Sequence, residues 1–155
     1  MEKVSNNEEI RLWRDHIPLE WKYTAGVAGE RFLQLLKQGK IQGSLCRSCN
    51  KTFLPPKIFC KDCFVQLTEW RDIPAETGYV YSFTVVSKNS NENGNQKREQ
   101  AVIALVKFEG IDGGLLGRFK RGKEEPRIGM KVKPIFKPKD ERKGELSDID
   151  YFEKI

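Results

Sequence analysis

Apolar residues near the N-terminus recur at helical spacing. They do so over residues 8–17, until Pro18 interrupts the pattern, and again over residues 26–37, which Gly39 follows as a residue type that ends helices. The spacing predicts two short helices joined by a glycine-containing link. A helical hairpin is therefore expected in residues 1–43.

The pattern changes further along the chain, where stretches rich in β-branched and aromatic residues alternate with polar ones. These stretches predict five strands, over residues 79–86, 101–108, 115–119, 130–136 and 148–155. Residues 89–96 and 137–147 are expected to be polar loops, and residues 110–114 a tight turn. Five short strands with no helical pattern between them indicate a mainly β protein with a five-stranded OB-fold barrel over residues 73–155.

Between the helices and the strands lie all four cysteines of the chain, arranged as two Cys-x-x-Cys pairs. The pairs are Cys46 with Cys49 and Cys60 with Cys63, and Pro55-Pro56 stands between them. Four thiolates at this spacing bind a tetrahedral metal, for which zinc is the default ion and rubredoxin-type iron an alternative of the same geometry. We therefore predict a rubredoxin-like zinc ribbon over residues 44–72.

A disulfide pairing and a redox role are the weaker interpretations of these cysteines. A reducing cytosol disfavours disulfides, and a thioredoxin-like motif needs one Cys-x-x-Cys rather than two. Because four protein thiolates close the coordination shell, no position remains for water or substrate. The single zinc ion is therefore expected to be structural.

The 155 residues carry a net charge of +6, and the positive charge is concentrated near one end. Residues 118–143 hold eleven Lys and Arg residues against four acidic ones, a local charge of +7. Such a segment attracts nucleic acid, an anionic membrane surface or a phosphorylated ligand, or is a solvated strand edge. The chain has no apolar run of the roughly 18 residues that a membrane span requires, and its N-terminus is too polar for a signal peptide, so we expect a cytoplasmic protein.

The common catalytic motifs are missing from the sequence. His16 is the only histidine, and the chain contains no nucleophile elbow, Walker loop or dinucleotide fingerprint. The metal uses all four thiols, which leaves no cysteine as a nucleophile. These observations favour a binding or scaffolding protein over an independent enzyme.

The order of these parts resembles a known family. The resemblance runs from about Trp21 to Phe136. The residues that carry it are Glu30-Arg31-Phe32, Gly39-Lys40-Ile41-Gln42-Gly43, the four cysteines, Pro55-Pro56, Trp70, Gly78-Tyr79-Val80-Tyr81-Ser82, Ala101 to Val106 and Ile128-Gly129-Met130. Together they resemble the archaeal and bacterial zinc-ribbon/OB-fold proteins called domain of unknown function thirty-five. The resemblance implies a non-catalytic subunit that binds acyl-CoA and associates with a thiolase-type enzyme.

The resemblance implies that, as in some archaeal members of the family, the chain connects an acetoacetyl-CoA thiolase with a hydroxymethylglutaryl-CoA synthase in the mevalonate pathway. Bacterial relatives are similar companions of enoyl-CoA hydratases and aldolases. On this resemblance, the coenzyme A phosphates and base would contact basic residues and aromatic walls. The candidates for that contact are Tyr81, Arg118, Phe119, Lys120, Arg121 and Lys123. The candidates for contact with a partner protein are Trp21, Tyr23, Arg31 and Phe32.

Strand alternation adds one constraint, since it places Tyr79, Tyr81 and Phe83 on the same face, so that all three line either the core or the ligand groove. A second hypothesis is a module that binds single-stranded nucleic acid, because zinc ribbons and OB barrels both serve that purpose. The basic segment supports it, but only Phe119 and Phe136 supply aromatics there. We rank it below the acyl-CoA hypothesis.

Overall fold

The computed structural model describes residues 23–92, 95–120 and 126–155, except for the side chains of residues 88–99. None of the helices in these ranges is long and apolar enough to cross a membrane. In chain order the elements are α1 (Gly26–Lys37), β1 (Gln42–Leu45), β2 (Thr52–Leu54), β3 (Glu69–Asp72), β4 (Gly78–Glu92), β5 (Asn95–Phe108), β6 (Ile111–Gly113), β7 (Leu115–Phe119), β8 (Lys131–Phe136) and β9 (Ile149–Lys154).

Helix α1 is the second of the two predicted helices. It buries Ala28, Phe32 and Leu36 on one face, as its apolar stripe predicts. The helix ends where Gly39 adopts a φ of 78°, a left-handed conformation that glycine tolerates best. The first predicted helix, over residues 8–17, lies outside the described residues, so the structure describes one helix of the predicted hairpin.

The metal-binding segment folds around a small antiparallel sheet. Strand β1 pairs with β2 on one side and with β3 on the other. Strand β6 then joins this sheet by pairing in parallel with β2, although it lies between two barrel strands in the sequence. The prediction of a tight turn over residues 110–114 is therefore wrong beyond Gly110, because the main chain there hydrogen-bonds to the ribbon.

The remaining five strands close into a barrel in the order β4-β5-β7-β9-β8. All neighbouring pairs are antiparallel except β7 and β9, which are parallel. The barrel interior holds Val80, Val106, Phe108, Val132 and Phe152 among others. Phe32 and Leu36 of α1 and Leu54 of β2 belong to the same core, so helix, ribbon and barrel pack against one another.

Strands β4 and β5 run well beyond the barrel as a two-stranded arm. They remain paired as far as Glu92 and Asn95, so the predicted polar loop over residues 89–96 is wrong except for residues 93–94, which lie outside the description. Polar residues can pair through their main chains as well as apolar ones, and hydropathy alone does not reveal this. The signal in the sequence that indicates a hairpin here is the dipeptide Asn93-Gly94.

A β-bulge at Tyr81 overturns the predicted alternation along β4. Val80 pairs with Val106 and Ser82 pairs with Leu105, so Tyr81 is the extra residue. Beyond the bulge, Phe83 lies opposite the inward-facing Ala104. Tyr79, Tyr81 and Phe83 therefore do not share one face.

Candidate metal centre and ligand cavities

The four cysteines lie on two equivalent turns, which we call the first knuckle (Cys46–Lys51) and the second knuckle (Cys60–Val65). In each, the backbone N–H of the first cysteine donates to a carbonyl five residues later, Lys51 at 2.8 Å and Val65 at 2.9 Å. In each, the fourth residue after that cysteine has a positive φ, 58° at Asn50 and 57° at Phe64. Both turns thus present their cysteines in the same way.

The sulfur atoms fit a single tetrahedral ion. All four Sγ atoms lie within 4.8 Å of one another, and those of Cys49 and Cys60 are 3.7 Å apart. A tetrahedron with the usual Zn–S bond of about 2.3 Å has edges of about 3.8 Å. Cys46 and Cys60 are buried and the other two are partly exposed. These residues would hold a structural zinc ion as four thiolates.

The four thiols lie too close together to ionise at the same time without a cation between them. The backbone N–H of Cys49 lowers the pKa of Cys46 to about 7. The hydrogen bond with the Cys49 thiol, followed by burial, raises the pKa of Cys63 to about 12. Thiols this close together cannot all ionise unless a positive charge compensates them. A bound divalent ion removes that obstacle.

The predicted coenzyme A residues do not converge on one place. Phe119 is buried inside the barrel, so its prediction as a ligand wall is wrong. Tyr81 is about half exposed, and the Lys107 ammonium lies 3.8 Å from its ring centre. Lys120 donates to the Tyr151 hydroxyl at 3.2 Å and is 3.7 Å from a Glu153 oxygen. Arg121 and Lys123 lie outside the described residues.

Among the described ligand candidates, Arg118 lines a cavity. Together with Lys137 it lines a cavity of about 240 Å³ on the outside of β7, against the β8–β9 loop. Leu116 and Leu146 supply apolar walls, and Asp150 contributes a carboxylate. This is where OB folds commonly bind ligands.

Three lysines of the remaining basic segment, Lys120, Lys131 and Lys133, are paired with acidic residues. Lys131 forms an ion pair with Glu109, and Lys133 lies 3.6 Å from Glu153, which also faces Lys120. This neutralisation reduces the positive surface that a nucleic acid would follow. The geometry therefore gives the nucleic-acid hypothesis little support.

The residues predicted to contact a partner protein differ in exposure. Phe32 is only 3% exposed and packs in the core, so its prediction as a partner contact is wrong. Arg31 places its guanidinium 4.4 Å from the centre of the Trp70 ring and donates to the Gln42 side chain at 3.3 Å. Tyr23 is 84% exposed. Trp21 lies outside the described residues.

The sequence reasoning missed an apolar surface beside the metal. Ile58, Phe59, Phe64 and Val65 flank or belong to the second knuckle and are exposed, Phe64 by 83%. Next to them Val27 of α1, Ile58 and Trp70 line a cavity of about 260 Å³. We call Val27, Ile58, Phe59, Phe64 and Val65 together the knuckle surface. Its signal in the sequence is a phenylalanine directly on either side of the second cysteine pair.

The β8–β9 loop, which borders the Arg118 cavity, is held by one buried carboxylate. Asp148 accepts hydrogen bonds from the backbone N–H groups of Lys143, Gly144 and Glu145 at 2.9, 2.7 and 3.2 Å. Burial alone would raise the pKa of Asp148, but these three N–H groups outweigh it, so that the pKa is lowered. The ionised carboxylate therefore stabilises the loop.

Replacing Asp148 by asparagine is expected to cost about 2 kcal/mol of unfolding free energy at pH 7, since an amide cannot accept all three bonds. Because the folded pKa is below its ordinary value of 3.8, the contribution is complete above that pH and is lost as the pH falls toward the folded pKa. The difference between wild type and variant should accordingly shrink in acid. Urea denaturation at pH 7 and pH 3 measures it, and a constant difference would contradict this role.

Two family models match consecutive parts of the chain: the ChsH2 rubredoxin-like zinc ribbon domain over residues 33–69 and the ChsH2 C-terminal OB-fold domain over residues 70–137. No curated protein sequence is significantly similar. Among solved structures, this chain is similar to the crystal structure of a protein of unknown function from the DUF35 family of Sulfolobus solfataricus. The two sequences are 36% identical, and the structures match with a TM-score of 0.62 over 71% of this chain and 78% of that one.

A second structure, described as an Ltp2-ChsH2(DUF35) aldolase, is 22% identical, with a TM-score of 0.56 over 72% of this chain and 85% of that one. At this identity it shows a shared fold. The family models agree with the clustered cysteines and with the closed barrel. The match with the Sulfolobus protein covers more than two thirds of each of the two chains. The chain therefore belongs to the DUF35 family of zinc-ribbon and OB-fold proteins.

Proposed function

We propose that this chain is a non-catalytic accessory subunit that associates with a thiolase-type enzyme of acyl-CoA metabolism. The knuckle surface carries the proposal, because an apolar surface of this kind marks a site of protein association. The class of partner comes from the family, in which one structure joins ChsH2(DUF35) with Ltp2 in an aldolase. The metal's part is structural: it would hold the second knuckle in shape.

The knuckle surface is suited to a protein partner in two respects. Phe59 and Phe64 are large rigid side chains of the type that dominates binding energy at interfaces. The adjoining cavity between Val27 and Trp70 is large enough to accept a side chain from the partner. Because α1 and the end of β2 pack into the barrel core, a partner bound there would be held at a fixed position relative to the barrel.

The ligand that fits this role is acyl-CoA, bound on the barrel. The Arg118 cavity has apolar walls from Leu116 and Leu146, positive charge from Arg118 and Lys137 and one carboxylate from Asp150, a mixed lining that would suit the acyl end of such a ligand. In its most specific form the proposal makes the chain a bridge between an acetoacetyl-CoA thiolase and a hydroxymethylglutaryl-CoA synthase. The chain's own residues would bind and orient the ligand between the two enzymes.

A single substitution on the knuckle surface tests the docking mode. Phe64→Ser is expected to weaken the complex with the thiolase-type enzyme of the same organism by about 2 kcal/mol, or roughly thirtyfold in Kd, because it removes an exposed anchor. Ile128→Ser is the matched control, since Ile128 is 74% exposed but lies on the barrel. Calorimetric titration of both variants measures the effect. Equal affinities would contradict docking through the ribbon.

A further inference from the structure

The C-terminal end of α1 borders a cavity of about 490 Å³ that is lined by polar side chains. Gln34, Lys37, Gln38 and Lys40 line it from the helix and the segment that follows, and Lys139 lines it from the β8–β9 loop. None of the three lysines forms an ion pair with any other residue within the described ranges. Three lysines thus line one open cavity, and no carboxylate of the described residues is among its lining.

The helix dipole accounts for only part of this arrangement. Lysines near the C-terminal end of a helix complement its partial negative charge, which suits Lys37 and Lys40. Lys139 comes from a different part of the chain, where it is the first residue of the short 3₁₀ turn Lys139–Glu141. Its presence at the same cavity adds a third positive charge, and an anion bound there would reduce the repulsion among these like charges.

A second cavity, of about 260 Å³, adjoins the first and has the opposite character. Ile41, Ile73, Ala75 and Phe136 give it apolar walls, and Lys40 lines both cavities. The Asp72 carboxylate stands at its edge, where one oxygen already accepts a hydrogen bond from Gln42 at 2.6 Å. A flat aromatic group fits such a slot, and the carboxylate has acceptor capacity left for an amino group on it.

The end of α1 and the β8–β9 loop, which both line this double cavity, approach each other at Arg142. Its Nε donates to the Lys137 carbonyl at 2.6 Å, and its guanidinium carbon lies 5.4 Å from the centre of the Phe136 ring. A Cβ at Gly39 would lie only 2.7 Å from an Arg142 nitrogen, which shows how closely the loop approaches the end of the helix. The fold therefore holds the main-chain segments that carry these lysines close to each other.

We propose that the two cavities together bind a nucleotide that carries at least two phosphate groups. The three lysines would bind the phosphates, and the apolar slot between Ile73 and Phe136 would hold the base. The 3′-phospho-ADP end of coenzyme A and a free adenine nucleotide share this chemistry. The site rests on the geometry of the double cavity; only the choice of coenzyme A as the source rests on the proposed function.

Calorimetric titration with coenzyme A, adenosine 3′,5′-bisphosphate, ADP and pyrophosphate tests the site. The double variant Lys40→Gln/Lys139→Gln is expected to weaken binding of all four by at least about tenfold, since two charge-assisted contacts are lost. Lys143→Gln is the matched control, because it removes one charge from the same loop outside the cavity. Thermal unfolding verifies that each variant is folded.

The base slot has a separate test. Ala75→Leu fills the slot and should weaken binding of the three nucleotides while leaving pyrophosphate within about twofold of wild type. Tighter binding of coenzyme A and the bisphosphate than of ADP would assign the site to coenzyme A, and the reverse order to a free nucleotide. An equal loss in Lys143→Gln, or no binding of any ligand at millimolar concentration, would overturn the proposal. Nucleotide binding by a chain that associates with no acyl-CoA enzyme would support this site and contradict the proposed function.

Discussion

Replacing Cys60 by serine is expected to release the metal and unfold the ribbon. Cys60 is buried, and its sulfur lies among the three others at distances that suit one tetrahedral ion. Structural zinc contributes about 10–16 kcal/mol in small zinc-binding peptides, as much as the whole stability of a typical domain. The variant should retain less than about a tenth of the wild-type metal, because serine is a poor zinc ligand at neutral pH.

Elemental analysis of the purified proteins measures this effect, with one zinc ion expected per wild-type chain. Ser48→Ala serves as the control, since Ser48 lies in the first knuckle and is exposed. It should keep both the metal and the melting temperature. A wild-type protein that contains no metal, and that unfolds at the same temperature with and without a chelator, would contradict a structural ion.

Gly113→Ala is expected to destabilise the junction between the ribbon and the barrel. Gly113 has a φ of 107°, and a Cβ there would lie 1.9 Å from the Leu54 carbonyl oxygen. This contact lies at the pairing of β6 with β2, beside the bond from the Gly114 N–H to the same oxygen. Clash and strain together should cost about 3 kcal/mol or more of unfolding free energy, which urea denaturation measures.

Gly110→Ala isolates the conformational part of that cost. Gly110 also has a positive φ, 70°, but a Cβ there would meet no atom within 4 Å. Its replacement should cost about 1 kcal/mol, the usual penalty for a left-handed alanine. If both variants were equally stable, the close approach between β6 and β2 would not matter to the fold.

The sequence pattern predicts the secondary structure best where burial determines it. The paired cysteines, the apolar stripe of α1 and the strands that fill the barrel all follow from spacing and hydropathy. The pattern fails where main-chain hydrogen bonds decide, as in the polar arm of β4 and β5 and in the short strand β6. It also fails at the Tyr81 bulge, because one inserted residue reverses the face of every side chain that follows.

The candidate sites show the same division. The metal ligands lie close together in the sequence, and local spacing was enough to find them. The double cavity joins Lys40 to Lys139 and Ile73 to Phe136, pairs too distant along the chain for any periodicity to connect. The prediction of Phe119 as a ligand wall is wrong because the sequence does not show which face of the strand is buried.

On the proposed function, this chain is an accessory subunit of an acyl-CoA enzyme. Calorimetric titration of the metal-loaded chain into a purified thiolase-type enzyme from the same organism tests it most directly. We expect saturable binding at micromolar concentration or tighter, and no turnover of acyl-CoA by the chain alone. Absence of binding at about 100 µM, together with acyl-CoA turnover by the isolated chain, would contradict the claim.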